Sequence, residues 1–201
     1  MKRILELMLN EARLISDKEF EATFDLCWNE MEYDFRKLEI ESIYQCDIDE
    51  NYEAFQKRDY EAILENFKEF KTYWTDKVSS KKLKVSKRLH LVDLPLNDYL
   101  KYEGYFYCIN EGALEHIRYL EYKDIEETKE ELIDYLIFDN KRVLFNKHDS
   151  KGNYLCSYLY EGALTEELIE EFDVLYEKGT DYKDYLQFDK KIIDILKIIE
   201  K

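Results

Sequence analysis

The chain has 201 residues, 45% of them hydrophobic, which is one domain's worth of sequence with enough apolar material for a core. Its formal charge of −16 disfavours direct contact with nucleic acid or anionic membranes. One proline and five glycines leave little room for long irregular loops, and no apolar run reaches the ~20 residues a membrane helix needs.

The first segment, residues 1–15, repeats Ile4, Leu5, Met8, Leu9 and Ala12 at helical spacing; its interspersed acids argue against a signal peptide and for a cytoplasmic protein. Ser16 and Glu19 form a capping box for a second helix over 17–33, with Phe20, Phe24, Cys27, Trp28 and Met31 on its inner face. Residues 38–48 read as an extended connection, and 50–76 as one long helix. A tract at 77–88 holds six of the 30 Lys and Arg and no acid, so the other 24 face all 46 acids. It reads as a linker that offsets its acidic neighbours.

A strand over 83–93 ends at Pro95, which disfavours helical backbone at Leu94 and favours a helix start just after it. Strands follow at 116–122, 134–139, 141–148 and 153–160, the last three as an antiparallel meander with turns at Asp139–Asn140 and around Gly152. A short acidic helix is expected at 124–132, and further helices at 162–177 and 184–200. The predicted fold is α+β: an antiparallel sheet of about five strands covered by helices, with helical N- and C-terminal extensions. It divides into a helical part (1–82), a sheet-containing part (83–177) and a terminal helix (178–201). The terminal helices are candidates for a homo-oligomer interface. EGAL occurs at 111–114 and 161–164, a match too short to imply duplication.

Recognisable chemistry is sparse. DIDEN at 47–51 opens like a calcium loop but has Tyr52 and Arg58 where glycine and glutamate are needed, so it reads as an acidic helix start. His90, His116 and His148 have no zinc-ligand spacing, although His90 and His116 would approach if their strands pair. Cys27, Cys46, Cys108 and Cys156 are scattered and read as reduced thiols. No phosphate loop, dinucleotide fingerprint or nucleophile elbow is present, so no cofactor, no metal and no catalytic residue is expected.

Arg88, the strand after it and PLNDYLKYE at 95–103 resemble the signature of an uncharacterised bacterial domain-of-unknown-function family, an arginine-led strand followed by P-L-T-D-Y-L-R-Y-E. FRKLE at 35–39 with Tyr44, Glu50 and Phe55, HIRYL at 116–120 and YLIFDNKRVLFNKHDSKG at 135–152 are similar to its other blocks in the same order. The resemblance covers about residues 20–176, with Lys37 inserted in the first block and Asn140 where the family favours an acid. It implies a domain and no activity. Several members sit beside helix-turn-helix regulators, which implies a regulator of a transcription factor as one role.

Arg88, Asp98, Tyr102, Glu103, Arg118 and Asp139 match the family's polar positions. Converging, they would make an arginine–carboxylate pocket for a small anion or a hydrolytic water; apart, they are structural ion pairs. Segment 161–177 carries seven acids and no base, with Glu166/Glu170 and Glu167/Glu171 as like-charge i,i+4 pairs. The favoured expectation is a non-enzymatic module, such as an inhibitor, immunity or anti-defence protein. It would bind a basic, nucleic-acid-handling protein through Glu166, Glu167, Glu170 and Glu171.

Overall fold

Strands buried on both faces need helices on both sides, and this chain supplies them before, between and after its strands. The computed structural model describes residues 1–79, 81–112, 115–187 and 189–199. Eight strands occur among them: β1 (Arg13–Ile15), β2 (Asp34–Glu39), β3 (Val85–Val92), β4 (His116–Glu121), β5 (Asp134–Phe138), β6 (Arg142–His148), β7 (Tyr154–Tyr160) and β8 (Thr180–Asp181). The helices are α1 (Lys2–Glu11), α2 (Asp17–Glu30), α3 (Glu50–Lys57), α4 (Tyr60–Ser79), α5 (Asp98–Gly112), α6 (Thr165–Lys178) and α7 (Lys190–Ile199). None is long and apolar enough to cross a membrane.

The strands form one sheet in the order β1-β7-β6-β5-β2-β3-β4-β8. β2 pairs parallel to β3, and β3 parallel to β4, while the remaining pairs are antiparallel. This corrects the expected five-strand antiparallel sheet: the sheet is mixed and larger. The β5–β6–β7 meander is as expected. The error lies in β2, which begins between the helix expected over 17–33 and the extended connection expected over 38–48, and in the short edge strands β1 and β8. β2 reads DFRKLE, and four of its six residues are buried, including Arg36 and Glu39. Buried ions hide the apolar alternation that marks a strand. Residues 1–82 therefore contribute two strands to the sheet rather than helices alone.

Alternation sorts the side chains of β2 and β3 between two faces. Leu38, Leu89 and Leu91 face α1 and α6, packing with Leu5, Met8, Leu168 and Phe172. On the opposite face Phe35 packs with Cys27 and Trp28 of α2, and Val92 with Tyr99 and Leu100 of α5. Helices α3, α4 and α7 then cover the outside of α5 through Ala54, Ile63, Phe67, Ile192 and Leu196.

Local chemistry explains the remaining boundaries. The Ser16–Glu19 capping box is present at α2. The long helix read over 50–76 breaks at Arg58, which adopts left-handed backbone (φ 56°), and Asp59 then caps α4 by accepting from Ala62 N. Asn97 starts α5: its Oδ1 accepts from Leu100 N at 2.8 Å while its Nδ2 donates to the Ser42 carbonyl. In place of a helix, the acidic stretch at 124–132 follows a 3-10 turn at Tyr122–Asp124 and forms another at Lys129–Glu131. The segment read as a helix over 184–200 begins as a 3-10 turn at Tyr182–Tyr185, and Phe188 and Glu200 lie outside the described residues. Ser80 of the basic tract and Ala113–Leu114 of the first EGAL also lie outside them.

Candidate functional site

Between two apolar clusters on the α5 side of the sheet, β2 and β3 present Lys37, Glu39, Arg88 and His90 instead of hydrocarbon. One stripe of α5 (Tyr99, Glu103, Tyr107) comes down on them at i,i+4 spacing. Glu115, just ahead of β4, completes the group.

Arg88 is 7% exposed and its fork is fully engaged. Nε and Nη2 donate to the two Glu115 oxygens at 3.0 and 3.3 Å, and Nη1 donates to both Glu39 oxygens at 3.1 Å. The guanidinium also lies 4.9 Å from the centre of the Tyr107 ring. Glu39 takes two more cationic or polar neighbours, Lys37 Nζ at 2.5 Å and the donated Tyr107 hydroxyl at 2.7 Å. Burial pushes its carboxyl up, but the charges of Arg88, Lys37 and His90 outweigh burial and hold it well below the ordinary carboxylate range.

His90 is wholly buried, and its proton positions follow from its partners. Nε2 lies 2.8 Å from the Glu41 carbonyl oxygen, an acceptor only, so Nε2 carries a proton and donates it. Nδ1 faces Tyr107 Oη at 3.0 Å and Glu103 Oε2 at 3.3 Å. The Tyr107 hydroxyl proton is given to Glu39, so an Nδ1–H meets two acceptors, and the ring is best satisfied as imidazolium. Its pKa is raised accordingly: burial lowers it, but the Glu103 and Glu39 carboxylates prevail. Glu103 is shifted up as well, by burial and by the Glu39 charge, against the pull of His90 and Arg88. Two neighbouring carboxyls are thus driven apart, Glu39 held ionised and Glu103 poised to exchange a proton with His90 Nδ1.

A cavity of about 760 Å³ opens beside this network, walled by Phe70, Trp74, Tyr102 and Phe106 as well as the charged groups. Its volume suits a small organic molecule. Among the described residues, five buried side-chain atoms lack a hydrogen-bond partner, and four of the residues carrying them line this cavity: Trp74 (Nε1), Glu103 (Oε2), Asn110 (Oδ1) and Asp134 (Oδ2). Glu103 and Asp134 each have an imidazole nitrogen at ion-pair distance, His148 Nδ1 lying 2.9 Å from Asp134. Buried polar atoms are nearly always paired in a folded protein, which sets Trp74 Nε1 and Asn110 Oδ1, without such a neighbour, apart.

Glu39, His90 and Glu103 present ligand atoms within 4.8 Å of one another, a set of the type that could hold a metal ion. His90 Nε2–H on a carbonyl is also the usual orientation of a ligating histidine. The charges argue otherwise. A cation seated there would compete with Lys37 and Arg88 for Glu39, whose oxygens already take donors from Arg88, Lys37 and Tyr107.

The fold separates the sequence-predicted residues. Arg88, Tyr102 and Glu103 line the cavity. Asp98 is exposed and pairs with Lys101 at 2.9 Å. Arg118 lies on the opposite face, donating to the Tyr176 carbonyl and pairing with Glu177. Asp139 is buried at the β5–β6 turn, where its carboxylate accepts from the backbone N–H groups of Glu32, Tyr33 and Asp34. With Arg88 enclosed by two glutamates, the expected anion site loses its cation. On α6, Glu166, Glu167 and Glu170 are exposed, whereas Glu171 lies 3.3 Å from the N-terminal ammonium. Glu161, Asp173 and Glu177 also hold cationic partners, so the acidic helix is less self-repelling than its sequence implies.

Glu39, Asn110, Asp134 and Trp74 carry no site role in the sequence, and His90 and His148 enter there only as histidines without zinc-ligand spacing. His90 and His116 stay apart although their strands pair, because His116 is opposite Lys87. Glu39 and Tyr44 lay within the blocks quoted for the family resemblance, which was the available signal.

The sequence profile described as "Domain of unknown function (DUF6879)" matches residues 22–187. None of the curated proteins matches the chain in sequence. Among solved structures, the chain is similar to TrmBL2, an archaeal chromatin protein described as showing a novel mode of DNA binding. That likeness has 16% identity and a TM-score of 0.46, over 90% of this chain and 60% of that one. It is also similar to Nuc from Salmonella typhimurium, a phospholipase D family member, with 13% identity and a TM-score of 0.42, over 79% of this chain and 90% of that one. At these scores neither neighbour carries an argument about activity.

Proposed function

Because the chain belongs to the DUF6879 family, a kinship that brings no activity with it, we propose from the geometry that the domain captures a small organic molecule in the cavity beneath α5. The observation that carries this reading is an aromatic-walled space lined by four residues whose buried polar atoms make no hydrogen bond, Asn110 Oδ1 and Trp74 Nε1 having no ionic neighbour either. The Glu39–Arg88–Glu115 cluster braces the floor, and the His90–Glu103 pair supplies an exchangeable proton at a fixed place. That suits recognition, and it also suits a proton transfer to or from a bound molecule.

The two tryptophans supply the test. Trp28 Nε1 donates to the Lys77 carbonyl at 3.3 Å, whereas Trp74 Nε1 has no partner. In a small-molecule library screened by ¹⁵N NMR, cavity ligands move the Trp74 indole signal more than the Trp28 signal. A library whose binders all leave Trp74 unmoved sinks the proposal.

A second reading, docking of a basic protein on α6, is supported by one stripe of that helix. Glu167, Glu170 and Val174 lie at i, i+3 and i+7, and Val174 is 59% exposed, an apolar residue among carboxylates. Replacing Glu166, Glu167 and Glu170 by lysine abolishes capture of such a partner without unfolding the domain; unchanged capture rejects this surface.

A further inference from the structure

The cavity's unmet bonding has a sign. Three of its four atoms without a hydrogen bond are acceptors: Glu103 Oε2 and Asp134 Oδ2, each facing only an imidazole nitrogen, and Asn110 Oδ1, which has no such neighbour; Trp74 Nε1 is the one donor. Asn110 is 3% exposed, so its carbonyl oxygen has little access to bulk water. The lining also contains six carboxylates, from Asp17, Glu39, Asp47, Asp49, Glu103 and Asp134, against the cations Lys37 and Arg88. Both cations are in contact with Glu39, and Arg88 with Glu115 too. An incoming anion would therefore find no available guanidinium or ammonium, and would face Glu103. A cation would find carboxylates, an amide oxygen and the rings of Tyr99, Tyr102 and Phe106.

Resting on the pocket reading above, we propose that the ligand is an organic ammonium ion, an amine on an aromatic or similarly flat apolar body. Its ammonium donates to Glu103, its body lies among the aromatic walls, and polar groups at the far end of that body meet Asn110 Oδ1, two helical turns along α5, and the Trp74 indole N–H. An ammonium suits the site better than a metal ion. It needs no displacement of Arg88 or Lys37 from Glu39, and its donors match acceptors that stand singly rather than as a coordination shell. Glu103 separates amine from neutral ligand, because its carboxylate, facing His90 alone at 3.3 Å, keeps acceptor capacity that only a ligand with a donor uses.

The experiment uses tyramine and tryptamine as probes. Each is compared with its neutral ethyl counterpart (4-ethylphenol, 3-ethylindole) and its propionic acid counterpart, reading the Trp74 indole signal of the full chain. The amines shift Trp74 and saturate. The neutral and acidic counterparts bind at least tenfold more weakly, and Glu103→Gln weakens the amines at least tenfold while leaving the rest of the spectrum in place. Should Glu103→Gln fail to fold, Asn110→Leu is the alternative, with the same loss expected. Equal binding of neutral or acidic counterparts overturns the ammonium assignment while leaving the pocket standing. Silence from both amines overturns the assignment too, and the pocket itself is then judged by the library screen. Broadening of the cavity signals by micromolar Mn²⁺ replaces the amine with a metal.

Discussion

Replacement of Arg88 by methionine tests the central cluster directly. The guanidinium is the shared partner of two buried carboxylates, making four hydrogen bonds of 3.0–3.3 Å to Glu39 and Glu115. Methionine fills much of the volume but leaves Glu115 without the fork and Glu39 with Lys37, Tyr107 and, at 3.7 Å, His90. Removing one partner of a buried ion pair costs about 3–5 kcal/mol, against a total stability of about 5–15 kcal/mol for a domain. With a urea dependence of about 2 kcal/mol per molar, the unfolding midpoint falls by about 2 M. The cost also depends on pH. In the wild type the depressed Glu39 contributes stability that is fully present above the unfolded value of about 4.3 and is lost as pH falls through its lower folded value. In the variant the orphaned carboxylate titrates higher, so protonation relieves it sooner. The gap between the two proteins therefore narrows on acidification from pH 7 to pH 5. Adding Glu39→Gln and Glu115→Gln to the variant restores most of the loss. A destabilisation below about 1 kcal/mol at pH 7, or a gap independent of pH, would refute the reasoning.

His90, titrated by NMR in the folded protein, has a pKa above the ordinary value of about 6.5, and Glu103→Gln lowers it. Its share of stability is complete below the unfolded value and is lost as pH rises through the folded one; an unshifted titration in Glu103→Gln rejects the pairing. Asp139→Ala costs about 3 kcal/mol in equilibrium unfolding, because the buried carboxylate of Asp139, itself at φ 53°, accepts the backbone N–H groups of Glu32, Tyr33 and Asp34. Asp139→Asn costs less, since asparagine keeps one acceptor and tolerates left-handed backbone; equal losses would separate the effect from hydrogen bonding.

The parts of the fold legible in the sequence are those where local chemistry and burial agree. Pro95 and Asn97 mark the start of α5, the Asp139–Asn140 and Gly152 turns mark the meander, and the leucines of α6 mark its buried face. β2 is illegible for the opposite reason: Arg36, Lys37 and Glu39 look like surface residues until Asp173 of α6 reaches Arg36 and Arg88 of β3 reaches Glu39. The candidate site was half visible. Arg88 and Glu103 stand out as polar residues within apolar segments, but their partners come from chain segments that meet only in the assembled sheet. Asp98 and Arg118 show the converse, being charged residues in resembling blocks that the fold places on solvent-facing or opposite surfaces.

The ionic floor also bears on strand register. β2 and β3 run parallel with Lys37 opposite Arg88 and Glu39 opposite His90. A slip by one residue would turn Arg88 toward the face that now holds Leu89 and Leu91, and bring a leucine to Glu39 and Glu115. Apolar strands tolerate such slips at modest cost, because one aliphatic side chain replaces another. Here the slipped alignment buries a guanidinium among leucines and strands two carboxylates, so the cluster acts as a key that only one alignment fits.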